Sequence, residues 1–286
     1  MNLSFWLIQA FNGISYGALL FLVGSGLSLI FAVMRIVNLS HGAYFLLGGY
    51  VALSVIWTTG SWYLAIPVAA IVIALVGLAM ERIFLRPLGF DPLRQVLLTV
   101  GFAFLFQQAA LDIWTGNNFD INPPAGLSQS IVVGGIYLPL YRVFMIATAA
   151  VIGAVLWLAM EKTRMGAAVR ATVDDAQMAR GVGIDTSRIS MLIFSLGAFL
   201  AALGGVIGGG FLGIYPGLDF EILPLAFAVV IIGGMGSLGG AAIGALAVGL
   251  ADNFGKALFP EVSYFTLYAP MALILAIKPT GLFGRE

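Results

Sequence analysis

Hydrophobic residues fill the chain in long, nearly uninterrupted runs that short polar segments separate. Several runs approach the roughly 20 residues that a helix needs to cross a bilayer, so the pattern predicts an all-α, polytopic helical bundle in a membrane. The predicted spans are 5–34, 43–57, 63–80, 96–114, 141–160, 190–210, 223–234, 240–258 and 264–277. Two of them are short for a straight span. We therefore expect about nine spans, with eight or ten as alternatives, and broken or re-entrant segments among them.

The composition strengthens this prediction of a lipid environment. The chain is 61% hydrophobic and 9% charged, whereas soluble domains carry about 25% charged residues. We expect one integrated transmembrane domain over 1–286, and the net charge of zero gives no indication of nucleic-acid binding. The N-terminal stretch MNLSFWLIQAF has no basic region before its apolar residues and no small-residue cleavage site. It is expected to remain as a span.

Lysine and arginine residues are distributed unequally between the two sets of loops. Segments 81–95, 161–189 and 278–286 hold ten of the thirteen basic residues. The alternate loops hold none of them: 58–62, 115–140, 211–222 and 259–263. Basic residues in short loops stay in the cytoplasm. The distribution predicts an external N-terminus and a cytoplasmic C-terminus.

The loop 161–189 has an unusual concentration of charge, because nine of the 26 charged residues lie between Glu161 and Ser190. Arg170 precedes Asp174 by four residues and the loop is rich in alanine, which favours a short amphipathic helix. Gly181 and Gly183 suit a helix stop and a turn. The loop is either a solvated connector or a docking surface. Small residues at 166–168 and 171 favour docking, because they let another backbone approach.

Two polar or glycine-rich interruptions break apolar runs. In MRIVNLSHGAY, the segment from Asn38 to Gly42 is expected to be non-helical and to border a cavity, where irregular backbone is tolerated at membrane depth. Arg35 either extends its charge to the interface or has a buried structural role. His41 is either a satisfied structural histidine or part of a transport path. The second interruption, GGMGSLGGA, contains Gly236 and Ser237. Paired interruptions of this kind indicate a translocation path.

Five stretches, together with the charged loop, resemble the permeases of branched-chain amino acid ABC importers. They are GLSLIFAVMRIVNLSHGAYFLLGGYVA (26–52), RPL (86–88), LLTVGFAFLFQQ (97–108), GGMGSLGGAAIGA (233–245) and KPTGLFG (278–284). The resemblance runs over nearly the whole chain and keeps the motif order. It implies a multi-pass permease in the bacterial inner membrane that moves amino acids, with urea or short amides as alternative substrates.

The resemblance also implies partners and site residues. The partners are a second homologous permease, two ATPase subunits and a periplasmic solute-binding protein. The segment from Arg164 to Ile184 would be the coupling segment that seats in a cleft of an ATPase subunit. Its expected contact residues are Arg164, Gly166, Ala167, Arg170, Asp174, Asp175 and Arg180. The expected path residues are Asn38, Ser40, His41, Gly42, Gly236 and Ser237.

Several other chemistries lack their motifs. The chain has no P-loop, since Gly255 and Lys256 are followed by Ala257, so ATP is expected to bind to the partner subunits. With no cysteine and a single histidine, metal sites built from thiolates or from several histidines are excluded. An intramembrane protease lacks the nucleophile motif. An ion-coupled transporter needs carboxylates within spans, but Asp112, Glu221 and Asp252 all lie near predicted span ends. We therefore expect no enzymatic activity, and an ion-coupled secondary transporter stays as the less favoured alternative to the importer.

Overall fold

The computed structural model describes residues 3–89 and 91–284, which form a helical bundle. The helices over these residues are α1 Leu3–Met34, α2 His41–Thr59, α3 Trp62–Met80, α4 Pro92–Trp114, α5 Leu140–Lys162, α6 Arg164–Asp174, α7 Ala176–Gly181, α8 Thr186–Leu212, α9 Leu218–Gly233, α10 Leu238–Leu258 and α11 Ser263–Ile277. An antiparallel hairpin joins α4 to α5, with β1 at Ser130–Val133 and β2 at Ile136–Pro139.

The prediction of an all-α, polytopic bundle is confirmed, and the structure refines the number of spans. Over the described residues, seven helices are long and apolar enough to cross a membrane, namely α1 to α5, α8 and α10. The two remaining predicted spans correspond to shorter helices, α9 with 16 residues and α11 with 15. All nine predicted runs are helical. The number of spanning helices among the described residues is seven rather than nine, because α9 and α11 are too short to cross a bilayer alone.

Helix α8 lies at the centre of the bundle, where glycines bring it into backbone contact with α2. A methyl group added at Gly205 would overlap the Phe45 backbone, and one added at Gly48 would overlap Ala202. The long helices α1 and α10 cross in the same way, through Gly17 and Gly249. Lipid does not drive helices together through burial of apolar surface, so packing of this kind supplies much of the attraction between them.

The three basic segments gather at one end of the bundle. Segments 81–95 and 161–189 share the walls of one cavity. The C-terminal segment returns to the end of α9, where Leu282 N donates to Ile232 O at 3.0 Å. At the other end, Phe119 pairs with Ile214 through an isolated antiparallel bridge. This grouping agrees with the predicted sidedness, while the predicted tail residue Arg285 lies outside the described residues.

Two local features were not expected from the sequence. Beyond Met80, α3 continues as a π-helical turn over Glu81–Leu85 and a short 3₁₀ turn over Arg86–Leu88, where a polar loop was predicted. The hairpin occupies part of the predicted external segment 115–140. Its turn has Gly134 and Gly135 at φ 59° and 81°, as the tightest hairpin turns require.

We expect the end that contains α6 and α7 to be cytoplasmic, because the basic residues concentrate there. The chain has no cysteine, so single-cysteine labelling has no background. A Gln177→Cys variant should be unreactive to an impermeant maleimide added outside intact cells, and reactive after permeabilisation. The exposed Asn117→Cys variant, at the opposite end, is the control and should react from outside. Reaction of Gln177→Cys in intact cells would reverse the orientation.

Candidate functional site

The first predicted interruption is a buried turn that connects α1 to α2. Asn38 and Ser40 are fully buried, and Asn38 Oδ1 accepts hydrogen bonds from Ser40 N at 3.1 Å and Ser40 Oγ at 2.7 Å. Leu39 N donates to Thr99 Oγ1 of α4 at 3.2 Å. Side chains thus satisfy backbone and hydroxyl groups that the helices leave unpaired, as irregular structure inside a membrane protein requires.

The turn carries the chain back along α1 before α2 begins. The imidazole Nε2 of His41 lies 2.9 Å from Val23 O. Val23 precedes Arg35 by twelve residues, which is about 18 Å along α1. Helix α2 therefore starts beside the interior of α1 rather than beside its end. The prediction that all of 38–42 is non-helical is wrong in part. Only 38–40 is non-helical, because His41 and Gly42 form the first turn of α2.

The start of α2 lies against the start of the short helix α9. A methyl group at Gly42 would overlap the backbone of Asp219, and α9 begins directly after Gly217, which has φ 99°. Asp219 is 2% exposed, and its Oδ1 atom has no hydrogen-bond partner. The hydroxyl of Tyr50, which is fully buried, also has no partner. The first turns of two helices therefore meet beside polar groups that are buried and unpaired.

Asp219 is not among the predicted path residues, because the sequence pattern placed 211–222 in an external loop. A signal was available in the order Pro216, Gly217, Leu218, Asp219: a helix-breaking pair precedes an acidic residue in a first turn, which is typical of a helix start. The predicted span instead begins at residue 223, within the apolar part of α9.

The second predicted interruption separates α9 from α10. Gly234 and Gly236 have φ 100° and 85°, and Ser237 Oγ accepts from Gly240 N at 3.0 Å as the cap of α10. Gly236 packs against Ala32 of α1. Val23 and Ala32 are nine residues apart, about 13 Å along α1. The structure therefore places both groups of predicted path residues beside α1 without joining them into one site.

The predicted coupling segment contains two short helices, α6 and α7, where sequence analysis expected one. Thr163 caps α6 by accepting from Gly166 N at 3.1 Å. Asp175 separates the helices and caps α7, accepting from Gln177 N at 2.8 Å and Met178 N at 2.9 Å. Helix α7 ends at Gly181, and Gly183 turns the chain with φ 90°. The predicted stop and turn are confirmed.

Several residues predicted to face a partner instead attach the coupling segment to its own bundle. Gly166 is buried, and a methyl group there would overlap the carbonyl oxygens of Ala159 and Met160. The Arg170 guanidinium donates to Met160 O, and Arg180 Nε donates to Thr186 Oγ1 at 2.6 Å. The reason is local, because the last carbonyls of α5 have no partners within their own helix and need outside donors.

The opposite side of the coupling segment is open. The predicted residues Arg164, Ala167, Asp174 and Asp175 are exposed. Three large apolar side chains are also exposed among these charges: Met165 at 49%, Met178 at 66% and Val182 at 72%. Exposed apolar side chains that form one patch are typical of a protein interaction surface, and we expect a partner to cover these three. We call this surface, from Met165 to Val182, the open face of the coupling segment.

Comparison with known proteins identifies relatives along nearly the full length. The family described as "Branched-chain amino acid transport system / permease component" matches residues 9–275. The high-affinity branched-chain amino acid transport system permease protein LivH of Escherichia coli is 32% identical over 98% of this chain and 96% of its own. The corresponding permease protein BraD of Pseudomonas aeruginosa is 28% identical with the same coverage. The autoinducer 2 import system permease protein LsrC of Escherichia coli is 28% identical over 63% of this chain and 54% of its own.

We expect Asn38→Leu to destabilise the bundle, because it leaves the buried Ser40 N–H without an acceptor and the Ser40 hydroxyl with only the weak acceptor Met80 Sδ. Each orphaned donor costs about 1–3 kcal/mol, so the thermal midpoint of the purified protein should fall by roughly 5 °C or more. The matched control is Asn117→Leu in an exposed loop, which should leave the midpoint unchanged. Equal midpoints for both variants would refute the structural role of Asn38.

Proposed function

Because the chain belongs to the permease family of branched-chain amino acid transport systems, we propose that it is the inner-membrane permease subunit of an ABC importer for these amino acids. In this proposal residues 1–286 form a single permease domain. A second homologous permease completes the path, two ATPase subunits bind the ATP, and a periplasmic solute-binding protein delivers the substrate. The family match over residues 9–275 is the observation that carries the proposal.

The coupling segment is built to transmit movement from an ATPase subunit. On one side, Val169 packs into an apolar cluster with Leu29 of α1 and Ile193 of α8, and Arg170 bonds to the end of α5. On the other side is the open face. A partner that moves this segment would therefore displace α1, α5 and α8 together. The charges that remain exposed on the open face, such as Asp174, would mainly set the register of docking.

Two buried carboxylates bear on ion coupling, because they lie in helical segments where the sequence predicted loops. Glu81, in the extension of α3, and Asp219, in α9, are each 2% exposed, although no carboxylates were expected within spans. Asp252 is 7% exposed and pairs with Lys256 at 2.8 Å. The distribution of carboxylates no longer argues against an ion-driven carrier. Family membership is what favours ATP as the energy source, and the experiment below separates the two.

Transport by the reconstituted complex tests the proposal directly. Proteoliposomes that contain this permease, its partner permease and the ATPase subunits should move leucine only when ATP and the liganded solute-binding protein are both present. A variant of the ATPase that binds but does not hydrolyse ATP is the control. Leucine movement driven by a proton or sodium gradient without ATP would overturn the importer proposal.

The substrate requires its own measurement, because similar permeases differ in this respect. LsrC is a permease of an autoinducer 2 import system, so relatedness over part of the chain does not fix the solute. Binding of leucine, isoleucine and valine to the cognate solute-binding protein, measured by calorimetry, is expected to be tighter than binding of urea or acetamide. The reverse order would replace amino acids by amides in the proposal.

We expect Ala167→Trp to abolish stimulated ATP hydrolysis and uptake while the permease still inserts and folds. Ala167 is exposed, so the indole would block seating of the partner without disturbing the bundle. Asn118→Trp, exposed at the opposite end, is the control and should be fully active. Asp174→Asn should keep partial activity.

Gly166→Trp should fail earlier, by loss of folded protein, because Gly166 faces the carbonyl oxygens of α5. If Ala167→Trp assembles and transports normally, the segment is a solvated connector and the coupling site lies within 81–95.

A further inference from the structure

A cavity of about 440 Å³ lies at the basic end of the bundle, behind the coupling segment. Its walls come from the end of α1, the π-helical turn after α3 and the segment that joins α6 and α7 to α8. The volume falls in the range of roughly 300–1,000 Å³ that is usual for small-molecule sites. Part of the lining is apolar, with Val33, Leu85 and Ile184 from three separate elements.

One residue that lines this cavity has a buried carboxylate oxygen without a hydrogen-bond partner. Glu81 is 2% exposed, and its Oε2 atom has no hydrogen-bond partner. Of the described residues that line the cavity, Glu81 is the only one with such an atom. In contrast, the carboxylate of Asp185 is paired with Arg188 at 2.8 Å. Arg86 and Arg82 are close enough to act on its charge, but a buried carboxylate oxygen without a hydrogen bond is costly. A hydrogen-bond donor within the cavity would satisfy Oε2.

The cavity also has a basic part. Arg86, which follows the π-helical turn, and Arg180 at the end of α7 both line it. The bond from Arg180 Nε to Thr186 Oγ1 fixes the position of that guanidinium. Arginine side chains bind carboxylates in a well-defined, often bidentate geometry. The cavity therefore combines an acidic group in its buried part, basic groups and apolar walls.

We propose that this cavity binds a free apolar amino acid from the cytoplasmic side. The ammonium group would pair with Glu81, the carboxylate with Arg86 or Arg180, and the side chain would lie against Val33, Leu85 and Ile184. The identity of the ligand rests on the proposed function, since the transported product is the apolar amino acid that the cavity would meet. A bound molecule would connect the π-helical turn to the coupling segment. Accumulated product would thereby restrain that segment and inhibit its own import.

Direct binding tests the site independently of transport. The complex of permeases and ATPase subunits is placed in nanodiscs without the solute-binding protein, and radiolabelled leucine is measured by equilibrium dialysis. Leucine should bind saturably. Isopentylamine, which lacks the carboxylate, and 4-methylpentanoate, which lacks the ammonium group, should each compete at least tenfold more weakly than leucine. Equal competition by isopentylamine, or displacement of leucine by potassium or sodium chloride alone at equal ionic strength, would reduce the site to a cation site and overturn the proposal.

Two variants assign the binding to this cavity. Glu81→Gln should weaken leucine binding at least tenfold, and Glu161→Gln, which makes the same change at an exposed residue outside the cavity, should leave it unchanged. Because Glu81 is buried, the exposed Arg86→Gln provides a second variant that leaves the core intact, and it should also weaken binding. Unchanged binding in both cavity variants would place the leucine elsewhere and overturn the proposal.

The inhibition is measured in vesicles with the ATPase subunits facing outward and the liganded solute-binding protein enclosed. Leucine added outside should lower the stimulated ATPase rate at least twofold in the wild type, and should leave the rate of Glu81→Gln at that variant's own uninhibited value. A wild type that is not stimulated by the enclosed binding protein would contradict the proposed function, and the dialysis experiment then decides the site alone. A stimulated wild type that external leucine does not inhibit would overturn the feedback role.

Discussion

Backbone contact between α8 and its neighbours is the constraint on which the rest of the bundle depends. Gly205 of α8 lies against Phe45 of α2, and Gly197 lies against Gly26 of α1. In lipid, attraction between helices comes largely from such close packing, and larger residues at these positions would separate the helices. The turn that contains Asn38 is likewise enclosed within the bundle, since Asn38 and Ser40 are buried and Leu39 N donates to Thr99 of α4. Protein therefore surrounds that irregular backbone, and a lipid-exposed turn would leave its polar groups unsatisfied.

Much of the architecture could be predicted, because the composition of each segment by itself determines whether that segment forms a helix or a loop. A spanning helix must be continuously apolar, so hydropathy located nearly every helix, and the basic residues indicated which loops share an end. Asn38 and Gly236 marked real interruptions for equally local reasons. The depth of each segment could not be predicted, because packing between distant segments sets it. Asp219 was assigned to an external loop, yet α9 begins at Leu218 beside Gly42. The inward orientation of Gly166 likewise depends on where α5 ends.

The basic end of the bundle combines two kinds of surface on a few residues. The open face of the coupling segment looks outward with Met165, Met178 and Val182, while the other side of the same segment forms a wall of the cavity next to Glu81. Both surfaces are carried by helices of only eleven and six residues. Such short helices have little stability of their own, so their position is set by caps and by bonds to α5 and α8. A change on either side is therefore transmitted to the other.

Helix α1 is unbroken over 32 residues, about 48 Å, against a hydrocarbon core of roughly 30 Å. Directly after its last residue, the Arg35 guanidinium lies 3.5 Å from Val173 O of α6, and towards its first residue Gly13 packs against Leu250 of α10. Such a rod acts as a lever. Pivoted at one end, a rotation of about 10° would move the far end by about 8 Å over that length. If the contacts along α1 let it turn as a rigid body, a small rotation started at α6 would exceed a helical turn in displacement at the opposite end of the bundle.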